Sequence, residues 1–379
     1  MGQKNAAVVL TTIANPVLLE QYHANFVEFG HLEAATVFVI PDRKTPAKAF
    51  DTCAVLRARG LRVSCPTLEE QDAFLRRAGM PPDAIPYDSD NRRNIGFLMA
   101  LELQPDLLVS IDDDNFCCRG EDFLSEHVVV CHDDAEQTVV DSSTGYLNIC
   151  DLLRLDRPVP IYPRGFPYHA RHMPEVVRSR RERVPVHINA GLWLRDPDID
   201  AITWLVSGSK ASYFKGPSMV LGSSTWSPVN SQNTALRGEA IPSYYFIRMG
   251  YNIGGREIDR YGDIFSGYFA QACARHLGGY VRVGTPITDH IRNSHDHFRD
   301  ATRELPCILL LEDLLPWLRE VKLTGTTYQE AYRALSEALD DVVERMTGTI
   351  WTDSARGFFH ETARHMRLWL NACRTIAGS

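Results

Sequence analysis

Short apolar runs alternate with amphipathic stretches through the first third of the chain. Residues 6–10 (AAVVL) form a continuous apolar run closed by Thr11-Thr12, which predicts a buried strand. Asn15-Pro16 then opens a helical pattern that continues to about Phe29. Residues 35–40 (ATVFVI) predict a second strand, closed by Pro41-Asp42. Residues 47–59 predict a helix stopped at Gly60, a residue that tolerates the left-handed backbone of a helix end. A short third strand is expected over 61–64. Residues 94–103 (NIGFLMALEL) have helical periodicity and stop before Pro105, and residues 106–111 (DLLVSI) predict another buried strand. This alternation predicts an α/β fold, with a mostly parallel sheet covered by helices on both faces.

The pattern changes twice further on. From about residue 140 to 300 the chain is richer in Gly, Pro, Ser and aromatic residues, which predicts irregular connections and shorter strands. After about residue 302, apolar residues recur at helical spacing over 308–321, 328–347 and 355–377. The expected division is a catalytic domain over 1–300 and a helical C-terminal subdomain over 301–379, whose Leu, Trp and Phe stripes read as core.

Composition narrows the class. Of 379 residues, 44% are hydrophobic and 23% charged, an ordinary globular profile. A net charge of -8 argues against a general nucleic-acid-binding surface. Nine cysteines without regular spacing read as reduced thiols, and the first residues do not form a signal peptide. No stretch approaches the ~20 apolar residues of a membrane span. The expectation is a cytoplasmic protein with no membrane span and no nucleic-acid partner.

The main chemical signal is Asp112-Asp113-Asp114, directly after the apolar run 106–111. Ligands of open α/β sheets bind beyond the carboxyl ends of the strands. Three adjacent carboxylates repel one another unless a cation neutralises them, and a hard divalent ion that bridges a diphosphate suits such oxygen ligands. In an extended segment Asp112 and Asp114 share a face. The competing reading is a solvated acidic turn. A phosphatase with an aspartate nucleophile is incompletely matched, because Phe116 follows where Thr is usual. A nucleotidyltransferase remains open.

Four further segments carry candidate residues. Asp263, in YGDIF, sits where a helix begins and is either its cap or a base facing the site. Asp289, His290, His295, Asp296 and His297 form a local His/Asp cluster in which a zinc site is conceivable, without paired cysteines. Arg164, in YPRGFP, reads as a rigid, exposed loop presenting a guanidinium to phosphate or carboxylate, or as an arginine in a tight turn. The basic run 178–183 reads as a solvated helix face or a mobile arm over an anionic substrate. There is no glycine-rich phosphate loop.

Taken in order, LLVSIDDDNF, YPRGFPY, NAGLWLRDPDIDA, RYGDIFSGY, CARHLGGYVRVGTP and DHIRNS resemble the reversibly glycosylated polypeptide family. That family includes plant UDP-arabinopyranose mutases and related bacterial glycosyltransferase-like proteins. The likeness covers about residues 105–345, and the N-terminal third matches in pattern more than in residues. The resemblance implies a GT-A-like nucleotide-sugar-binding sandwich with Mn²⁺ or Mg²⁺ held by an aspartate motif. It implies that Asp112, Asp113 and Asp114 bind metal, diphosphate and ribose, with Asp114 the first direct metal ligand and His290 a second. Thr11 and Arg93 complete the expected nucleotide-binding set. Asp263 matches the carboxylate facing sugar and acceptor, and Arg164 the arginine that the family glycosylates reversibly. The chain departs from the plant pattern in Tyr261-Gly262-Asp263, where Tyr-Asp-Asp is usual, and in DSDNRRNIGF, which lacks a cysteine-containing stretch.

The leading expectation is a metal-dependent glycosyltransferase that moves a sugar from a nucleotide-diphosphate sugar donor to a small-molecule acceptor. The alternative is a pyranose/furanose mutase with reversible self-glycosylation. A third reading is a self-glycosylating or sugar-binding subunit without turnover. A homo-oligomer is compatible with each.

Overall fold

The computed structural model describes residues 4–378. The apolar runs of the sequence become one half of its sheet. Strands β1 (Ala6–Thr12), β2 (Ala35–Pro41), β3 (Arg62–Ser64) and β4 (Leu107–Ile111) are parallel, in the order β3-β2-β1-β4. Ala6, Val8 and Leu10 face one core with Leu107, Val109 and Ile111, while Ala7, Val9 and Leu108 face the other. The runs are continuously apolar because both faces are covered. Helices α1 (Leu19–Glu28) and α2 (Lys48–Ala58) contribute Tyr22, Phe26 and Leu56 to the first core. Helices α3 (Leu68–Arg77) and α4 (Arg93–Glu102) contribute Phe74, Phe97 and Leu98 to the second. A Cβ at Gly96 of α4 would overlap the side chains of Val9 and Ile40, so the helix lies directly on the sheet.

The second half of the sheet is mixed. It contains β5 (Asn115–Cys117), β6 (Ala135–Ser142), β7 (Leu153–Leu155), β8 (Val177–Val184), β9 (Val186–Arg195), β10 (Ala211–Phe214), β11 (Met219–Leu221) and β12 (Asn233–Arg237). A small hairpin, β13 (Asn252–Ile253) and β14 (Arg256–Glu257), stands apart, and β15 (Tyr280–His290) returns to the sheet. From β4 the order continues β12-β9-β15-β11-β6-β8. Helices α5 (Phe123–His127), α6 (Ala201–Ser207) and α7 (Gly262–His276) connect these strands. This is the expected α/β arrangement: a parallel half that ends in the aspartate motif, continued by a mixed half.

The C-terminal helices are α8 (His297–Glu320), α9 (Tyr328–Val343) and α10 (Asp353–Ala377). Their apolar stripes join the same core as α4 and α7. Trp369 of α10 is fully buried, and its indole N–H donates to the Pro242 carbonyl at 2.9 Å.

Several elements differ from expectation. Helix α8 begins eleven residues before 308, because Asp296 caps it by accepting from the Phe298 and Arg299 amides, and its polar first turns hide the period. Helix α3, opened by a Thr67–Glu70 capping box, has no apolar run to announce it. The basic run 178–183 is a strand, not a helix face: β8 pairs antiparallel with β6, and Arg180, Arg181 and Arg183 reach Asp141, Glu136 and Asp134. The middle region has the expected short strands, such as β7, β10, β11 and β12, but also the long strands β9 and β15.

Trp369→Ala should cost about 3–5 kcal/mol by leaving a large void in the shared core. Urea unfolding should show a lower midpoint at little-changed slope. A midpoint equal to that of the parent would mean that α10 is peripheral to the cooperative unit.

Candidate functional site

The parallel strands deliver three groups of side chains to one edge. The β1–β4 register sets Val9 opposite Ser110, so Thr11 and Thr12 end beside the aspartates, and β2 ends just before Asp42. Asp42 lines a cleft of about 310 Å³ together with Thr11, Thr12, Lys44, Asp88, Asp90, Arg93 and the three aspartates. Antiparallel β12 brings Gln232 alongside, and the Asp112 amide donates to its carbonyl at 3.1 Å. On the far side, β15 pairs with β5 and sets His290 opposite Asn115.

The aspartates form a turn, not an extended segment: the Asn115 amide donates to the Asp112 carbonyl at 3.2 Å. The three carboxylates therefore diverge. Asp112 pairs with the Arg93 guanidinium, which also donates to the Ile111 carbonyl at 2.7 Å and the Ser110 hydroxyl at 2.9 Å. Arg93 lies 3.4 Å from the Thr11 hydroxyl. Asp113 accepts from the Thr12 hydroxyl at 2.6 Å. Asp114 accepts from the Asn115 side-chain amide at 3.1 Å and lies 3.4 Å from His290 Nε2.

Burial pushes the Asp112 carboxyl up to about 6, Arg93 opposing and the other aspartates assisting. Burial likewise raises Asp113. Asp114 moves the other way: burial would raise it, but the His290 hydrogen bond and charge outweigh that and lower it. His290 is raised, since Asp114 outweighs the burial that opposes its charge.

Among the described residues, no three His, Cys, Asp or Glu side chains converge as a finished metal site. The fold offers a pair, Asp114 and His290. The Nδ1 of His290 bonds the Asp196 carbonyl, which turns Nε2 toward Asp114, the arrangement of a ligating histidine held from behind. Such a pair fits a hard divalent ion that takes its other ligands from phosphate oxygens and water. The zinc alternative finds no convergence. Asp296 caps α8, His295 bonds Asp300 at 2.8 Å, and the His297 ring stacks on Trp204.

Behind Asp112, a smaller cavity of about 120 Å³ is lined by Asp90, Arg93, Arg164, Gln232, Phe246 and Asp263, among others. Asp90, Arg93 and Asp112 line both spaces, so the two adjoin. Arg164 is not the exposed cation expected from the loop sequence: it is only 4% exposed. Its Nε and Nη2 donate to Asp198 at 2.9 and 3.0 Å. Its Nη1 and Nη2 donate to Asp263 at 2.9 and 2.8 Å, and Nη1 also bonds the Arg260 carbonyl. All five N–H groups are thus engaged, and none is left for a phosphate. Burial alone would lower the guanidinium pKa, but Asp198 and Asp263 drive it well upward. Gly165 makes the loop possible: its φ is +87°, and a Cβ would strike Ile264.

Asp263 does not cap α7. It lies in the first turn, behind the N-cap Tyr261, and both carboxylate oxygens turn to Arg164. Asp198 is held low against its burial by Arg164, with a further bond from Asn230 at 2.8 Å. Sequence reasoning missed Asp198, Asn230, Gln232, Arg260 and Asp90 as site residues. Asp198 stood inside the segment NAGLWLRDPDIDA, where an Asp-x-Asp spacing was a usable signal. Asn230 and Gln232 had none.

Comparison with known proteins places this geometry in context. UDP-arabinopyranose mutase 1 of Arabidopsis thaliana is 26% identical over 301 residues, covering 78% of this chain and 76% of its own. Probable UDP-arabinopyranose mutase 1 of Pisum sativum is 25% identical over 376 residues, covering 96% and 89%. Among solved structures, glucosyl-3-phosphoglycerate synthase from Mycobacterium tuberculosis, in complex with Mn²⁺ and UDP-glucose, is 11% identical, with a TM-score of 0.39 over 85% of this chain and 81% of that one. The family model for the reversibly glycosylated polypeptide matches residues 70–377, and the chain belongs to that family.

Proposed function

We propose that the chain interconverts the pyranose and furanose forms of a UDP-arabinopyranose-like nucleotide sugar. The observation that carries this reading is Asp263, a buried carboxylate fixed by Arg164 in a small cavity beside the aspartate cleft. Family membership and the mutase names of the relatives support the same substrate class. In this reading the nucleotide lies in the outer cleft, its diphosphate beside Asp112–Asp114, and the sugar in the inner cavity. Thr11 forms part of the nucleotide wall, and Arg93 holds Asp112 in place.

Ring interconversion turns a ring oxygen into a hydroxyl and a hydroxyl oxygen into the ring member. One proton leaves O4 and one reaches O5, while a C1–O4 bond forms and the C1–O5 bond breaks. The bond from C1 to the diphosphate breaks and re-forms, so nothing is oxidised and no acceptor is consumed. Asp263 takes the O4 proton and returns it to O5. Both its oxygens face Arg164, and each retains a second lone pair for this transfer. Arg164 is a positioning residue: a protonated guanidinium with every N–H engaged has no lone pair with which to attack C1. Asp114 and His290 would hold Mn²⁺ or Mg²⁺, with Asp112 and Asp113 adjacent, and such an ion would supply charge neutralisation for a diphosphate.

Transfer to a small-molecule acceptor would use the same residues, with Asp263 deprotonating the acceptor hydroxyl. The inner cavity, about 120 Å³ against about 310 Å³ outside, favours one ring without a second molecule.

Incubation with UDP-arabinopyranose and Mn²⁺ should give the furanose isomer by chromatography, with no accumulation of free UDP. Stoichiometric UDP release without isomer would replace this reading with transfer. Asp263→Asn should lower kcat by about 10²–10⁴-fold.

Peptide mapping after turnover should find Arg164 free of sugar. A hexose or pentose adduct on Arg164 would overturn its assignment as a positioning residue.

Mn²⁺ affinity, read by electron paramagnetic resonance, should fall as pH drops from 7.5 to 5.5. Asp112 takes up a proton near 6, and His290, with its raised pKa, gains one that competes with the ion. A flat profile would remove both groups from the metal environment.

A further inference from the structure

A second concavity lies at the other end of α7. Asp263 opens that helix and Arg275 stands in its last turn, roughly 18 Å away at ~1.5 Å per residue. Two adjoining hollows of about 360 and 240 Å³ share Ser223, Trp226 and Arg319 in their walls. None of the catalytic residues described above lines them.

The hollows hold two guanidiniums and little to neutralise them. Arg275 donates to the Gly222 and Ser223 carbonyls at 2.8 and 2.7 Å and to that of Thr225, and lies 4.7 Å from the centre of the Trp226 ring. Its Nε is buried without a partner. Arg319, in the last turn of α8, makes one long contact of 3.4 Å to the Ser224 carbonyl and lies over the Tyr146 ring at 4.8 Å. Gly145 leaves room for it, since a Cβ there would overlap the guanidinium. The buried Tyr146 hydroxyl interacts with the same guanidinium, which opposes the burial that raises its pKa. Among the described residues neither arginine forms an ion pair with a carboxylate, and Glu320 is the one acid in the walls.

A bland explanation covers part of this. Arginines in last turns suit the negative ends of helices, and Arg275 clamps the 222–225 loop. That does not account for Arg319, whose long contact to Ser224 and interaction with the Tyr146 hydroxyl use only part of the five N–H groups it carries. Nor does it explain two like charges facing one hollow. Burial lowers the Arg275 pKa to about 10, with Tyr280 opposing and Arg319 adding to the fall, and no carboxylate pairs with it to offset that deficit. A doubly charged tetrahedral oxyanion would fill that deficit, since guanidinium forks match phosphate oxygens and the exposed Ser223 and Ser224 hydroxyls stand at the rim.

We propose that the Arg275–Arg319 hollow is a binding site for the phosphate group of a phosphorylated small molecule, separate from the nucleotide cleft. Titration of the full chain with inorganic phosphate by calorimetry tests this. Saturable binding is expected, weakened at least tenfold in Arg319→Gln. Ser224→Asp, an exposed change that adds a carboxylate at the rim, should weaken it likewise and serves if the first variant folds poorly. Lys44→Gln, in the wall of the nucleotide cleft, should leave it unchanged. No saturable binding by the parent chain, or binding indifferent to both rim variants, overturns the proposal. So does binding lost only in Lys44→Gln, which would place the phosphate in the nucleotide cleft.

Discussion

The site is organised around one buried guanidinium shared by two carboxylates. Removing Arg164 from water is expensive, and a single carboxylate would repay that cost only in part. Asp198 and Asp263 together take both edges of the fork, and the Arg260 carbonyl takes the remaining N–H. Three distant segments are thereby tied at one point: the 162–167 loop, the 196–200 turn after β9, and the start of α7. Removing one carboxylate would leave a charge with half its partners. Removing Arg164 would leave two buried anions facing each other, a loss on the order of 3–5 kcal/mol. The orientation of Asp263 therefore follows from the demands of burial as much as from those of any substrate.

The same constraint separates two roles that an exposed arginine would combine. A guanidinium at the surface can receive a phosphate or be modified. This one is saturated before any ligand arrives, and its neighbours drive it further toward the charged form. What it offers the cavity is the position of a carboxylate. The anionic elements of the site are thus fixed twice: Asp263 by Arg164 inside, and Asp112 by Arg93 at the boundary of the two spaces.

The parallel half of the fold was legible because strands buried on both faces need continuous apolar sequence, and β1, β2 and β4 have it. The aspartate motif was legible for a related reason, since its three acids directly follow such a strand. Less visible was anything decided by pairing across long separations. Strand β8 is polar between its terminal valines, and its backbone pairing and Arg–acid pairs with β6 explain why it is extended. The burial of Arg164 has the same origin. Within YPRGFP nothing distinguishes an arginine that faces water from one that meets carboxylates 34 and 99 residues away. Helix α8 was located but cut short, because its opening turns are held by the Asp296 cap rather than by an apolar stripe.

Charge balance sets the outer cleft apart from the inner cavity. The outer cleft is lined by six acids, Asp42, Asp88, Asp90 and Asp112 to Asp114, against Lys44, Arg92 and Arg93. In the inner cavity Asp90, Asp112 and Asp263 are matched by Arg93, Arg164 and Arg260. A diphosphate brought into the outer cleft meets net repulsion, whatever hydrogen bonds the walls supply. The carboxylates answer differently. Burial raises Asp112 and Asp113 toward protonation, whereas Asp114 is lowered by His290 and stays ionised. The group best kept charged is the one beside the imidazole, whose other nitrogen is occupied by the Asp196 carbonyl. A divalent ion between Asp114, His290 and the diphosphate would turn the repulsion into attraction, and the local electrostatics place the strongest anion at that point.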